Sequence, residues 1–276
     1  GISDDKVLDD VARAGFNMIS CGHDLKALDR LQAHGLYAYL HAGGGIELTG
    51  DVEKKKAGLA DLVARFGSHP ALLTWEMPDE ALWNLTLDIL YQPGEILENG
   101  KRLAEAAHQQ AEGFAAGGAY LRSLDPHHVI WMNHAAGSGI AALADNGRGP
   151  DAITCDLYPL MPYPTEPFDY SRSVLGSIGI CTTRMQASAP EKPVWMVLQG
   201  MGWGDFENPV FKLKPLPSQQ PTYEETRFMA YDVIVRGARG VMYWGTHIVP
   251  KDGPLWQGIL RTARELADRS ALLTAP

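Results

Sequence analysis

Short apolar segments alternate with amphipathic segments along the whole length of this 276-residue chain. Each apolar segment is four to six residues long and is followed by residues with helical spacing. Short strands that are buried on both faces and joined through helices are typical of a parallel β-sheet. Seven such strands are predicted, over residues 16–20, 37–41, 71–76, 129–133, 153–156, 194–199 and 240–244.

The segments around these strands predict helices over residues 4–14, 25–34, 51–66, 99–124, 140–144, 171–186, 222–236 and 255–266. Seven β/α units indicate an α/β fold of the (β/α)8 TIM-barrel class, with its first strand missing and residues 4–14 as its first helix. A doubly wound open sheet is the alternative, although no G-x-G-x-x-G sequence follows any predicted strand.

The length of the chain suits one such barrel, which typically needs about 250 residues. The strand expected before the first helix would lie upstream of Gly1. We therefore expect residues 1–276 to form a single barrel domain that is a fragment of a longer protein, unless residues outside this numbering supply the strand. The first residues carry no signal-peptide pattern. The sequence does not fix the location or the oligomeric state of the protein. One alternative is a secreted or periplasmic protein whose signal peptide is absent from this sequence.

The charge of the chain excludes some classes of partner. Lys and Arg number 24 and Asp and Glu number 33, which gives a net charge of −9. An acidic chain of this kind lacks the basic surface that binds nucleic acid or an anionic membrane. No run of about 18 apolar residues is present, so no membrane-spanning helix is predicted.

No cofactor is implied by the motifs that the chain contains. The three cysteines, Cys21, Cys155 and Cys181, are too widely spaced for a zinc pattern. The sequence has no H-x-H, H-E-x-x-H or G-x-S-x-G segment, which disfavours metal and serine chemistry. A metal-dependent barrel hydrolase stays open as an alternative, with ligands drawn from His41, His134, Asp156 and His247.

Polar and aromatic side chains gather where the predicted strands end and in the loops that follow. In a (β/α)8 barrel these strand ends form the face on which active sites are built. Aromatic rings pack on the C–H faces of sugars, and carboxylates and amides hold hydroxyl groups, so the set predicts a carbohydrate site. Its members are His41, Glu76, Asp79, Glu80, Asn133, His134, Asp156, Tyr158, Gln199, Trp203, Trp244 and His247. Two long loops, 157–170 and 200–221, also follow strands, and loops of such length are usually functional.

The segment from Trp75 to Glu80, W-E-M-P-D-E, resembles the fourth-strand end of clan A glycoside hydrolases, where W-E-x-x-N-E ends in the general acid/base. The resemblance implies that Glu80 is the acid/base of a glycosidase that cleaves O-glycosidic bonds of an oligo- or polysaccharide. Asp79 then replaces the Asn that binds a sugar 2-hydroxyl.

Four further segments extend this resemblance over nearly the whole chain. Residues 68–73 (SHPALL) resemble the lead-in to the fourth strand, and residues 156–159 (DLYP) resemble the end of the sixth. Residues 192–204 (KPVWMVLQGMGWG) are similar to the seventh strand, and residues 240–244 to the eighth, whose Trp is a sugar platform. By this match Trp244 would be that platform.

The chain departs from this family at Gln199, which occupies the position of the nucleophilic Glu. A neutral amide cannot form a glycosyl ester, so the standard retaining mechanism is in doubt. The Gln could be natural to a divergent branch, which we favour, or an inactivating replacement. Asp156 is the first choice for the second carboxylate and Glu76 the second choice, with Asp79 also open. A non-catalytic carbohydrate-binding barrel is the remaining alternative.

The alternation of side chains along a strand constrains one of these roles. Trp75 and Glu76 are adjacent in a predicted strand, so they cannot both point to the same side of the sheet. Glu80 lies in the loop beyond, where it can reach a substrate. Inverting enzymes place their carboxyl groups about 6.5–9.5 Å apart and retaining enzymes about 5–5.5 Å apart, so these separations would distinguish the two mechanisms.

Overall fold

The computed structural model describes residues 4–90, 96–160, 174–206 and 219–274. Within these ranges, seven parallel strands follow one another in chain order in the sheet. They are β1 (Met18–Ser20), β2 (Tyr37–His41), β3 (Leu72–Glu76), β4 (Val129–Ala135), β5 (Ala152–Asp156), β6 (Val194–Gln199) and β7 (Gly240–Trp244). Parallel strands in sequence order with helices between them are the arrangement of a (β/α)8 barrel that lacks one strand, so the predicted fold class is confirmed.

The helices lie close to their predicted positions, with two additions. They are α1 (Asp5–Arg13), α2 (Leu25–Ala33), α3 (Val52–Phe66), α4 (Ala81–Leu90), α5 (Ile96–Leu124), α6 (Ile140–Asn146), α7 (Ser177–Ser188), α8 (Tyr223–Val235), α9 (Pro254–Asp268) and α10 (Ser270–Leu273). The sequence did not predict α4 or the short α10. Parts of the loops at 157–170 and 200–221, and the first residues of the helix predicted at 171–186, lie outside the described residues.

The chain divides into two compact units. The first unit contains residues 18–155 and 184–193, and the second contains residues 1–17, 156–183 and 194–276. In the first unit, strands β1 to β4 pair in parallel, and the register aligns His41 with Glu76 and Glu76 with Trp131. In the second unit, β6 pairs with β7, and Gln199 lies opposite Trp244. Each of these alignments sets polar or aromatic side chains side by side at the ends of neighbouring strands.

Helix α5 approaches the rest of the first unit closely at two adjacent glycines, Gly117 and Gly118. A Cβ atom at Gly117 would overlap the carbonyl oxygen of Ile46, and one at Gly118 would overlap that of Gly149. The overlapped atoms are backbone, so they cannot swing aside as the end of a flexible side chain could. Both glycines are therefore required where α5 packs against these loops.

We expect Gly117→Ala to lower the free energy of unfolding by about 1–3 kcal/mol, because an overpacked site forces backbone shifts of that cost. Gly100 lies on the same helix with open space around it. Gly100→Ala should therefore raise the free energy of unfolding by up to about 1 kcal/mol, through helix propensity. Urea unfolding of both variants checks this. Equal effects of the two substitutions would contradict the close approach of α5.

Candidate active site

Strands β2, β3 and β4 of the first unit carry a polar face near their carboxyl ends. Tyr39 and His41 are two residues apart on β2, so they lie on the same face. The ring of Tyr39 meets the ring of Trp131 on β4 edge-on, with 5.1 Å between centroids, and that of His41 at 5.9 Å. Glu76 lies between His41 and Trp131 in the register. We call this set, together with Asp79, Glu80 and Asn133, the acidic cluster.

Glu76 and His41 form the closest pair in the acidic cluster. Nδ1 of His41 lies 2.6 Å from Oε2 of Glu76. The Glu76 residue is only 4% exposed, whereas the His41 side chain is 51% exposed. A buried carboxylate therefore lies behind an imidazole that reaches solvent.

Burial sets the protonation behaviour of this pair. It raises the pKa of the Glu76 carboxyl above its ordinary value, and the contact with His41 offsets part of that effect. The Glu76 carboxylate in turn raises the pKa of the His41 imidazole, against the opposing effect of partial burial. Burial, followed by the negative charge of Glu76, raises the pKa of Tyr39 to about 12.

The neighbour of Glu76 on β3 points to the other side of the sheet, as alternation predicts. Trp75 is fully buried, and its indole Nε1 donates a hydrogen bond to Oδ2 of Asp125 at 2.8 Å. Nδ1 of His128 lies 2.8 Å from the same oxygen. Asp125 and His128 thus hold Trp75, which leaves Glu76 as the member of the pair on the polar face.

Asp79 and Asn133 make a second polar contact in the cluster. Nδ2 of Asn133 donates to Oδ1 of Asp79 at 2.9 Å. Asp79 is exposed and Asn133 is buried. Within the described ranges, the buried Oδ1 of Asn133 has no hydrogen-bond partner. The amide is thus oriented by Asp79, and its buried oxygen is available to accept from a further donor.

Glu80 has a strained backbone at the start of α4. Its φ angle is +46°, and it is the one non-glycine residue with a positive φ in the described part of the chain. Its N–H donates to the carbonyl oxygen of Asn133 at 3.1 Å, and its own carbonyl accepts from the N–H of Asn84 at 2.9 Å. Residues in this conformation cost about 1–2 kcal/mol and concentrate at functional sites. These backbone bonds set the direction in which the half-buried Glu80 side chain leaves the loop.

His134 follows Asn133 on β4, so the alternation of side chains along the strand places the two on opposite faces. It is 1% exposed, and neither ring nitrogen has a hydrogen-bond partner among the described residues. Burial lowers the pKa of His134 to about 4, so the ring is neutral at ordinary pH. Adjacent strand residues point to opposite faces. The structure therefore places His134 in the core, away from the face that Asn133 shares with Asp79.

In the second unit, the Gln199 amide is fully engaged by the main chain. The N–H of Leu160 donates to Oε1 of Gln199 at 2.9 Å. Nε2 of Gln199 donates to the carbonyl oxygens of Leu160 and Met201, both at 3.1 Å. The residue is 0% exposed. We call this arrangement the Gln199 clamp; it uses both amide protons and an oxygen lone pair to hold residue 160 against the end of β6.

An aromatic cluster of the second unit contains four of the predicted site residues. Trp244 stacks with Tyr158, with centroids 5.3 Å apart, and with Phe206 at 5.2 Å, each at an interplanar angle of about 20°. Trp203 meets Tyr158 edge-on at 6.0 Å, and His247 meets Trp244 edge-on at 6.3 Å. Trp244 remains 44% exposed. The rings expected to form a sugar platform are thus partly stacked on one another.

The structure brings five predicted residues together in the first unit: His41, Glu76, Asp79, Glu80 and Asn133. In the second unit it groups Tyr158, Trp203, Trp244 and His247, and it places a half-buried Asp156 at the end of β5. Three residues that the sequence did not single out join these groups: Tyr39, Trp131 and Phe206. Tyr39 could have been found from its spacing of two from His41 and Trp131 from its spacing of two from Asn133, whereas Phe206 carries no such signal.

In the described part of the chain, no group of three or more His, Cys, Asp or Glu side chains is arranged to hold a metal ion. The helices within those ranges include none that is long and apolar enough to cross a membrane.

Comparison with known proteins shows the fold. No protein-family model matches the chain, and no protein with a curated description matches its sequence. The structure is similar to the β-galactosidase from Bacillus circulans sp. alkalophilus, with a TM-score of 0.69, 12% identity, and coverage of 98% of this chain and 54% of that one. The β-galactosidase from the psychrophilic Marinomonas ef1 gives a TM-score of 0.66 and 13% identity, over 98% of this chain and 59% of that one.

A third similar structure is a GH5_18 protein from Bifidobacterium longum subsp. infantis, with a TM-score of 0.59 and 12% identity, over 96% of this chain and 72% of that one. These structural neighbours are glycoside hydrolases with TIM-barrel-like folds. The chain spans just over half the length of the two β-galactosidase chains.

Proposed function

We propose that this chain hydrolyses O-glycosidic bonds of an oligo- or polysaccharide, with Glu80 as the general acid. The observation that carries the proposal is the strained backbone of Glu80, which is bonded to β4 in the middle of a cluster of carboxylates and amides. Strain of this kind persists only where the surrounding structure holds it, and it is common at catalytic residues. The glycosidase folds of the structural neighbours support the same reaction class.

The residues around Glu80 suit the remaining tasks of such a reaction. Glu80 would protonate the leaving oxygen, and a second group would activate a water or stabilise the developing positive charge on the sugar. Asp79 and the unused Oδ1 of Asn133 would hold sugar hydroxyls. For the second group, the contact between Glu76 and His41 on the same face favours this pair; Asp156 stays a prediction from the sequence.

The aromatic residues of the second unit would contribute the binding of sugar rings. We propose that Tyr158, Trp203, Trp244 and His247 line subsites, with Trp244 presenting the part of its ring that neighbours leave exposed. Gln199 takes no direct part in this proposal, because the Gln199 clamp already uses its amide. It would position residue 160 and the start of the loop behind it.

One observation favours a second candidate function, a carbohydrate-binding barrel without catalysis. The position equivalent to the nucleophile holds a buried amide, which cannot attack a sugar. Calorimetric titration with oligosaccharides that the protein does not hydrolyse would support this candidate. In that case Glu80→Gln would leave the affinity for them nearly unchanged.

The proposed function is tested with aryl glycosides and with plant and bacterial polysaccharides, before and after treatment with a chelator. We expect hydrolysis of at least one substrate class that survives chelation, and we expect Asp156→Asn to lower kcat/KM less than Glu80→Gln does. The exposed Glu105 on α5 provides a matched control, since Glu105→Gln removes a carboxylate far along the sequence from the cluster. Full activity in Glu80→Gln would refute the assignment of the general acid, and activity abolished by the chelator would favour a metal-dependent hydrolase.

A further inference from the structure

We propose that His41 is the general base of this reaction, that Glu76 is its positioning residue, and that hydrolysis inverts the configuration of the sugar. The inference rests on the proposed function and specifies the group that replaces the missing nucleophile. It is carried by the geometry of the pair, a buried carboxylate in contact with one nitrogen of a solvent-reaching imidazole.

The burial of Glu76 argues against a role as nucleophile. The residue is 4% exposed, and Oε2 lies 2.6 Å from Nδ1 of His41. An attacking oxygen must come within bonding distance of the anomeric carbon, and the half-exposed His41 side chain is the member of the pair that reaches solvent. We therefore assign to Glu76 an action through the imidazole.

His41 is oriented to accept a proton from water. The two nitrogens of an imidazole lie on opposite sides of the ring, so Nε2 is directed away from Glu76 when Nδ1 faces it. A carboxylate oxygen 2.6 Å from Nδ1 favours the tautomer in which Nδ1 carries the hydrogen and Nε2 is the acceptor. It also stabilises the imidazolium that forms after proton transfer, as in other carboxylate–imidazole pairs.

The proton balance of the step closes with water as the only co-reactant. The oxygen of water bonds to the anomeric carbon from the face opposite the leaving group, and its proton passes to Nε2 of His41. The bond between the anomeric carbon and the leaving oxygen breaks, and Glu80 gives its proton to that oxygen. His41 then releases a proton and Glu80 regains one from solvent, which restores the starting state with one inversion of configuration.

Several titratable groups face His41 and shape its pH dependence. Glu76 approaches from β3, Asp79 from the loop after it, and Tyr39 from the same strand. Nε2 of His23 lies 2.7 Å from the main-chain oxygen of His41. The Glu76 carboxylate raises the pKa of His41. Because the base must be neutral to accept a proton, kcat/KM should rise with pH through that raised pKa.

The test combines product stereochemistry with paired variants. Proton NMR of the first-formed sugar should show the anomer opposite to that of the substrate. We expect His41→Gln to lower kcat by roughly 10²- to 10⁴-fold, the usual contribution of a general base. His108→Gln, which removes a histidine that is 65% exposed on α5, should leave the rate unchanged.

The Glu76→Gln variant distinguishes a positioning role of Glu76 from a purely structural role. It removes the charge that raises the pKa of His41, so the rising limb of kcat/KM should move to lower pH, with a reduced maximum. This shift would remain informative if His41→Gln failed to fold. Retention of configuration, or an unmoved limb in Glu76→Gln, would overturn the inference. A wild-type protein that hydrolyses nothing would instead refute the proposed function, as would full activity in Glu80→Gln.

Discussion

Glu80→Gly should remove hydrolytic activity while leaving the folded protein at least as stable as the parent. Loss of the general acid should lower kcat/KM by roughly 10²- to 10⁴-fold on substrates with poor leaving groups. The φ angle of +46° is the reason for the unusual effect on stability. Glycine adopts this conformation freely, so the substitution relieves about 1–2 kcal/mol of strain and loses about 0.5–1 kcal/mol to the entropy of the unfolded chain.

Glu80→Gln is the matched variant, because it removes the same carboxylate and keeps the strained backbone. We expect it to be as inactive as Glu80→Gly, and less stable than Glu80→Gly by about 1 kcal/mol. Urea unfolding and assays on a nitrophenyl and an alkyl glycoside measure the two effects. A Gly variant that is clearly less stable than the Gln variant would show that the Glu80 backbone is not strained. An active Gly variant would show that Glu80 is not the acid.

Gln199→Glu should destabilise the fold and should not create a nucleophile. In the Gln199 clamp, Nε2 donates to two carbonyl oxygens, whereas an ionised carboxylate would turn an oxygen toward both of them. The site is 0% exposed, so solvent cannot screen the repulsion. A buried group that loses its partners in this way costs about 3–5 kcal/mol.

The cost of Gln199→Glu should depend on pH. Burial favours the neutral acid, so the folded-state pKa of the new carboxyl lies above its unfolded value of about 4.3. Between these two pKa values the folded variant holds a proton that the unfolded chain releases. The free energy of unfolding of the variant should therefore fall progressively as the pH rises above about 4. Urea unfolding at pH 5 and pH 8 measures this loss, which the parent protein should not share to the same extent.

Gln257→Glu provides the control for Gln199→Glu. Nε2 of Gln257 also donates to a main-chain oxygen, that of Lys251 at 3.0 Å, but the residue is exposed. Water can therefore solvate the new carboxylate, and we expect a change below about 0.5 kcal/mol. If Gln199→Glu proved as mild as this control, or gained retaining activity, the clamp would not be the role of Gln199.

The helix α4 shows where prediction from the sequence failed. Trp83, Leu85, Leu87 and Ile89 are apolar and alternate with other residues, a period that is typical of a strand rather than a helix. In the structure the helix begins directly after Glu80, whose carbonyl accepts the N–H of Asn84. Contacts of the preceding loop with β4 therefore set the direction of the chain at this point. A local hydrophobic pattern cannot contain that information.

The sequence predicted the members of the acidic cluster more successfully than it predicted their roles. Residues at strand ends could be selected because parallel strands present their carboxyl ends at one edge of a sheet. The opposite directions of Trp75 and Glu76 also followed from alternation alone, and the structure confirms them. Which carboxylate meets which partner could not be predicted, because the choice of His41 as the partner of Glu76 depends on the register of β2 and β3.

The order of strands and helices, the (β/α)8 class and the list of candidate polar residues could be read from the sequence, because periodicity and strand-end position are local properties. The roles of Gln199, Trp244 and His134 depended on the tertiary structure. Leu160, the partner of Gln199, is 39 residues away, Trp244 stacks on rings from distant segments, and the core encloses His134. Hydrogen bonding and burial are decided by such long-range neighbours, so the same side chain can bind a ligand or support the fold.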